Sequence, residues 1–140
     1  MERVTVPALV DRVDDVFALI DEAMINAGIE VKMQNNIRIA AEEIFVNIAS
    51  YAYPEGEGEV AVSVSADENS IVIEFADSGT PYDPLVKADP DITLSADERD
   101  IGGLGVFMVK KMMDSVEYRY EGNKNVLTIK KYFNDRSGNK

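Results

Sequence analysis

Glu43 and Asn47 stand four residues apart inside a run of helical periodicity, so both side chains share one helix face. A carboxylate and a carboxamide placed this way offer hard oxygen atoms, which Mg²⁺ prefers, directly or through water. The same pair also reads as a solvated Glu beside an Asn bonded to a neighbouring loop. A second group, Asp77-Ser78-Gly79-Thr80-Pro81, follows a strand pattern that ends at Phe75. An Asp at a strand end can accept a hydrogen bond from an exocyclic amine. Gly79 has no Cβ and lets the backbone pass close to a flat ring. Asp-Ser-Gly is equally ordinary turn chemistry. The third group is Gly102-Gly103-Leu104-Gly105, leading into helical periodicity, with Arg99 ahead of it and Lys110 and Lys111 behind. Glycine-rich backbone before a helix presents free N–H groups to an anion, and the helix dipole adds to that. A flexible loop entering a helix accounts for the glycines as well. No Gly-Lys-Ser/Thr follows, so this is not a Walker A motif, and no parallel βαβ unit surrounds it as in a Rossmann fold.

The elements that must position these groups follow from hydropathy. Residues 3–5 alternate as a short strand that stops at Pro7. Apolar positions Val13, Val16, Phe17, Ile20, Ala23 and Met24 recur at helical spacing across residues 9–27, with Gly28 as a stop. Residues 31–52 repeat the pattern through Ile37, Ala40, Ala41, Ile44, Phe45 and Ile48, ended by Pro54 and Gly56. Residues 59–65 and 71–75 alternate as two strands around an Asp67-Glu68-Asn69 turn. The segment 77–105 is broken by glycine and proline, the composition of a long functional or disordered loop. Helical periodicity returns over 104–114. Strands 116–120 and 126–133 close the chain around Glu121-Gly122-Asn123-Lys124, before a polar tail, 134–140, expected to fray. Tyr51, Tyr53, Met108, Met112 and Met113 read as packing residues. The order β-α-α-β-β-loop-α-β-β predicts an α+β, two-layer sandwich: a mixed, mostly antiparallel sheet with helices on one face, in one domain over 1–133.

Composition narrows the chemistry. The chain has 140 residues, 26 acidic against 14 basic, and a net charge of −12, which argues against binding duplex nucleic acid or anionic lipid. Cysteine and histidine are both absent. That removes disulfides, thiolate nucleophiles, imidazole bases and His-ligated zinc. No secretory leader pattern opens the sequence and no stretch is apolar enough for a membrane span, so a cytoplasmic protein is expected.

In order and spacing, Glu43-x-x-x-Asn47, Asp77-x-Gly79 and Gly103-x-Gly105 resemble the three boxes of the GHKL ATPase superfamily (gyrase, Hsp90, histidine kinase, MutL). Within it the chain is similar to the stand-alone bacterial anti-sigma factor serine kinases. Three stretches carry this: Glu43-Ile-Phe-Val-Asn-Ile-Ala-Ser-Tyr-Ala-Tyr53, Asp77-Ser-Gly-Thr-Pro-Tyr-Asp-Pro84, and Gly102-Gly-Leu-Gly-Val-Phe-Met-Val-Lys-Lys-Met-Met-Asp114. The resemblance implies the ATP-binding fold of that group, with ATP and Mg²⁺ as cofactors. It implies Asn47 on Mg²⁺, Glu43 as general base, Asp77 on the adenine amino group and Gly79 beside the ring. Gly103, Leu104 and Gly105 would wrap the phosphates, residues 84–101 would form a lid, and Arg99 would steady the γ-phosphate. The implied partners are a sigma factor, which the protein sequesters, and a STAS-domain anti-anti-sigma protein, which it phosphorylates on serine; a homodimer is possible. The sequence departs from the family at two points. Tyr51 stands where a His is common, and Asn125 or Val126 stands where a Thr is common on the last strand. The alternative reading is a nucleotide-gated binding regulator that holds ATP and a protein without phosphotransfer.

Overall fold

The computed structural model describes residues 2–54, 56–81 and 108–133. Strand β1 (Glu2–Pro7) leads through a 3-10 turn (Val10–Arg12) into helix α1 (Val13–Asn26). Helix α2 (Val31–Tyr51) follows, then strands β2 (Glu59–Ala66) and β3 (Ser70–Asp77). Residues 108–112 are helical, and strands β4 (Ser115–Glu121) and β5 (Lys124–Tyr132) complete the described chain. The start of the helix expected over 104–114, and the lid expected over 84–101, lie outside the described residues.

The sheet order is β1-β2-β3-β5-β4, and all four pairings are antiparallel. The expected mixed character therefore does not arise among neighbours. Alternation fixes which face each residue takes, since a slip of one residue would turn the apolar set outward. Val60, Val62 and Val64 of β2 stand beside Asp77, Phe75 and Ile73 of β3, and these beside Asn125, Leu127 and Ile129 of β5. The apolar members of that set are buried against Val16, Ile20 and Met24 of α1 and Ile37, Ile44, Phe45 and Ile48 of α2. Val109 and Met113 enter the same core, while Met108 is exposed at 38% and Tyr51 at 45%, so neither is the packing residue expected. On the opposite face, Arg119 reaches Glu74 at 3.3 Å and Glu121 at 3.0 Å.

Turn chemistry sets the register. Gly28 adopts φ +74°, and the Ile29 N–H returns to the Met24 carbonyl at 3.1 Å, which ends α1 as its sequence predicts. The β4–β5 hairpin turns on Gly122 and Asn123, both with positive φ (59° and 63°), the pair that matches strand twist in a two-residue loop. The β2–β3 hairpin turns on Asp67. Its Oδ1 accepts the N–H of Asn69 at 2.8 Å and of Ser70 at 2.7 Å. Those two backbone bonds hold the Asp67 carboxyl below its ordinary value of 3.8, helped by the Ser70 hydroxyl and offset slightly by desolvation.

A depressed folded-state value means stability that is present above the unfolded value and is lost as pH falls through the folded one. Asp67→Ala is expected to melt below wild type at neutral pH. The gap between the two should close below about pH 3.8, as measured by thermal denaturation across pH.

Candidate functional site

The buried apolar stripe of α2 sets its roll, and one of its flanks meets α1. Arg38 faces Asp21 of α1 at 3.2 Å (Nε to Oδ1) and lies 4.6 Å over the Phe17 ring. The two facing atoms are buried and meet as an ion pair without hydrogen-bond geometry, while the rest of each side chain is part-exposed. A pair of this exposure contributes little stability, on the order of 1 kcal/mol or less. It marks the flank of α2 that meets α1. With Arg38 on the flank beside α1, helical periodicity puts Glu43, Asn47 and Tyr51, at successive steps of four, on the other flank. Glu43 and Asn47 are half-buried there. The sequence pairing of these two residues is therefore realised as one surface, beside the core stripe.

Asp77 ends β3 on the helix-facing side of the sheet and is only 4% exposed. A buried carboxylate needs partners. Its Oδ1 accepts the Gly79 N–H at 2.9 Å and the Asn125 side-chain amide at 2.9 Å. Asn125 sits directly across the β3–β5 ladder and is 7% exposed. Its amide orientation is fixed by what surrounds it. The Tyr118 hydroxyl donates to Oδ1 at 2.5 Å, so Nδ2 turns to Asp77 and also donates to the Thr80 carbonyl at 3.0 Å. Among the described residues, both partners of Asp77 sit on Oδ1. Oδ2 meets no donor among the described residues.

The turn after Asp77 is set against the end of α2. The Thr80 N–H donates to the Ala52 carbonyl at 2.9 Å. A Cβ on Gly79 would lie 2.1 Å from that same carbonyl oxygen. Close approach is thus required of Gly79, and the group it approaches is the helix terminus. A cavity of about 250 Å³ borders this turn, lined by Ala52, Tyr53, Pro54 and Ser78 among others. A larger one, about 530 Å³, opens at the other end of β2 beside Val64 and Ala66 and is remote from all of these residues.

Measured along the helix at about 1.5 Å per residue, Asn47 stands about 7 Å and Glu43 about 13 Å before Ala52. One straight element therefore carries the expected metal and base residues and ends against the turn of the expected adenine residues. Arg99, Gly103, Leu104 and Gly105 lie outside the described residues. Asn125, left open against Val126 from the sequence, is the residue that engages Asp77. The signal for it is register: the residue opposite the last position of β3, beside a two-residue hairpin turn. Among the described residues no group of three or more Asp or Glu side chains could hold a metal ion, and no helix is long and apolar enough to cross a membrane.

Comparison with known proteins bears on the family and the fold. Residues 6–131 match the model of the histidine kinase-like ATPase domain. The chain is 28% identical over 115 residues to the serine-protein kinase RsbW of Listeria monocytogenes serovar 1/2a, covering 79% of this chain and 73% of that one. It is 30% identical over 99 residues to the serine-protein kinase RsbW of Bacillus cereus strain AH820, covering 68% and 62%. Among solved structures, the RsbU and RsbW domains of Rv1364c from Mycobacterium tuberculosis superpose with a TM-score of 0.59 at 14% identity, over 94% of this chain and 32% of that protein. The catalytic domain of the histidine kinase ThkA superposes with a TM-score of 0.50 at 11% identity, over 95% and 99%. The fold, the order of the motifs and the match across nearly the whole chain have one conclusion: the chain belongs to the histidine kinase-like ATPase domain family, of GHKL type.

Proposed function

We propose that this chain is an ATP-dependent protein-serine kinase that also acts as an anti-sigma factor. The observation that carries the reading is the buried Asp77–Asn125 pair, standing at the end of the helix that bears Glu43 and Asn47. Asp77 Oδ2 would accept the amino N–H of adenine, and the triphosphate would extend back along the α2 flank toward Asn47 and Glu43. The Asn47 carboxamide is a hard oxygen donor on a half-buried surface, and Mg²⁺ takes few protein ligands and keeps water and phosphate for the rest. Asn47 would hold that ion. When bound, the ion neutralises phosphate charge. The glycine segment Gly103-Leu104-Gly105 and Arg99 belong to the proposal as phosphate-binding residues on the strength of their sequence motif.

In the transfer, a serine oxygen of the partner forms a bond to the γ-phosphorus. The bond from that phosphorus to the β–γ bridging oxygen breaks, ADP leaves, and the serine proton passes to the Glu43 carboxylate. Phosphoryl transfer asks little covalent chemistry of a protein and much positioning, which a rigid helix provides. The similarity to serine-protein kinases named RsbW supports a kinase. A serine of a STAS-domain anti-anti-sigma protein is the proposed acceptor, and a sigma factor is the partner held in the cytoplasm. The net charge of −12 suits a basic surface on such partners. A homodimer remains part of this proposal.

Calorimetric titration with ATP, with and without Mg²⁺, is expected to show Mg²⁺-dependent binding; no heat at millimolar ATP would overturn the reading. Asn47→Ala should weaken Mg²⁺-dependent ATP binding by at least about tenfold while circular dichroism stays that of the folded chain. Glu43→Ala should bind ATP within about twofold of wild type yet transfer phosphate roughly 10²–10⁴-fold more slowly. If that variant phosphorylates at the wild-type rate, Glu43 is not the base, and binding without transfer would point instead to a nucleotide-gated regulator. Asn125→Val leaves Asp77 a buried carboxylate short of one donor. It should lower ATP affinity about tenfold, with some loss of thermal stability.

A further inference from the structure

Tyr53 lies two residues beyond α2, and its hydroxyl is used twice. It donates to the Glu59 carbonyl, at the first residue of β2, at 2.6 Å. It accepts the N–H of Ser78, the residue after Asp77, at 2.9 Å. The ring reaches this position only because residue 58 is glycine. A Cβ on Gly58 would stand 2.2 Å from ring carbons Cε1 and Cζ. The neighbouring residue, Ala52, accepts from Thr80 and bars a side chain at 79. Ser78 is thus bonded to Tyr53 and Thr80 to Ala52, with Gly79 packed against the Ala52 carbonyl between them. Burial is the main influence that holds the Tyr53 phenol above its ordinary value of 10.0, so the donor is present at neutral pH. A phenylalanine here would fill the same space and leave the Ser78 N–H and the Glu59 carbonyl without that partner.

We propose that Tyr53, seated on Gly58, is a positioning residue that sets where Asp77 stands relative to Glu43 and Asn47, and thereby how strictly the site selects a purine bearing an amino group at C6. This rests on the reading of Asp77 as the adenine-binding residue. Adenine offers an N–H donor at C6 where guanine offers a carbonyl acceptor. A carboxylate oxygen held in place attracts the first and repels the second. The ratio of ATP to GTP affinity therefore reports the position of Asp77, whereas the phosphate end is the same in both nucleotides. A residue that merely stiffens the fold would change both affinities together.

The test is titration of the full chain with ATP and with GTP in Mg²⁺, for wild type, Asp77→Ala, Tyr53→Phe and Gly58→Ala. Wild type is expected to prefer ATP, and Asp77→Ala to lose that preference. Tyr53→Phe should lose about tenfold in ATP affinity, the worth of one hydrogen bond, with GTP changed less than about twofold. Gly58→Ala keeps the hydroxyl but displaces the ring, and should lose preference in the same direction. It also serves if Tyr53→Phe folds poorly. A discriminating wild type whose Tyr53→Phe variant keeps the same ratio, or weakens both nucleotides equally, overturns the role of Tyr53 alone. A wild type that does not discriminate, or an Asp77→Ala variant that still does, overturns the reading of Asp77 and the positioning role with it.

Discussion

A carboxylate on the core side of a sheet is costly unless bonded, and the arrangement around Asp77 follows from that cost. Two donors converge on one of its oxygens, one from the turn that follows it and one from the strand across the ladder. Satisfying the carboxylate therefore orders the turn and commits β5 to its register at the same time. The amide of Asn125 in turn depends on the Tyr118 hydroxyl for its orientation. A network of this kind is fully satisfied or expensive, which is why its members constrain one another.

The helix supplies what the sheet cannot. Strands β3 and β5 offer a point of attachment at one end of the sheet, while α2 offers a straight row of side chains leading away from it. The two are joined where Ala52 and Tyr53 meet residues 78–80. Because the apolar stripe of α2 (Ile37, Ala40, Ile44, Phe45 and Ile48) is buried in the core, its rotation about its own axis is settled by packing, with Arg38 beside Asp21 and Phe17 marking the flank toward α1. Glu43 and Asn47 are then turned together to the flank away from Arg38.

Much of this was legible from residue patterns. The alternation of β1, β2 and β3, the apolar stripe of α2, the stop at Gly28 and the two hairpin turns are local signals, carried by period and by turn chemistry. The pairing of Glu43 with Asn47 is local as well, because helical spacing alone decides it. What patterns could not supply were bonds that join distant segments. Ser78 meets Tyr53 across 25 positions of sequence, and Asn125 meets Asp77 across 48. No periodicity encodes such a contact, so Tyr53 read as an ordinary packing residue and Asn125 as one of two candidates. Tyr51 failed for a related reason: its place in a helical repeat says that it is on a flank, and the neighbours of that flank decide whether it is covered.

The strand order carries a consequence for how the protein is assembled in time. Strands β2 and β3 are joined by a short turn, whereas β1 reaches β2 across more than fifty residues that include both long helices. Strand β5 likewise joins β3 across nearly fifty residues, and contacts that close long loops form slowly because their entropy is lost before their bonds are gained. During synthesis the N-terminal part therefore emerges with Asp77 at an open strand edge, still lacking its cross-ladder donor. A ligand that touches both β3 and its surroundings would act as a staple across this last seam, favouring the completed fold by mass action.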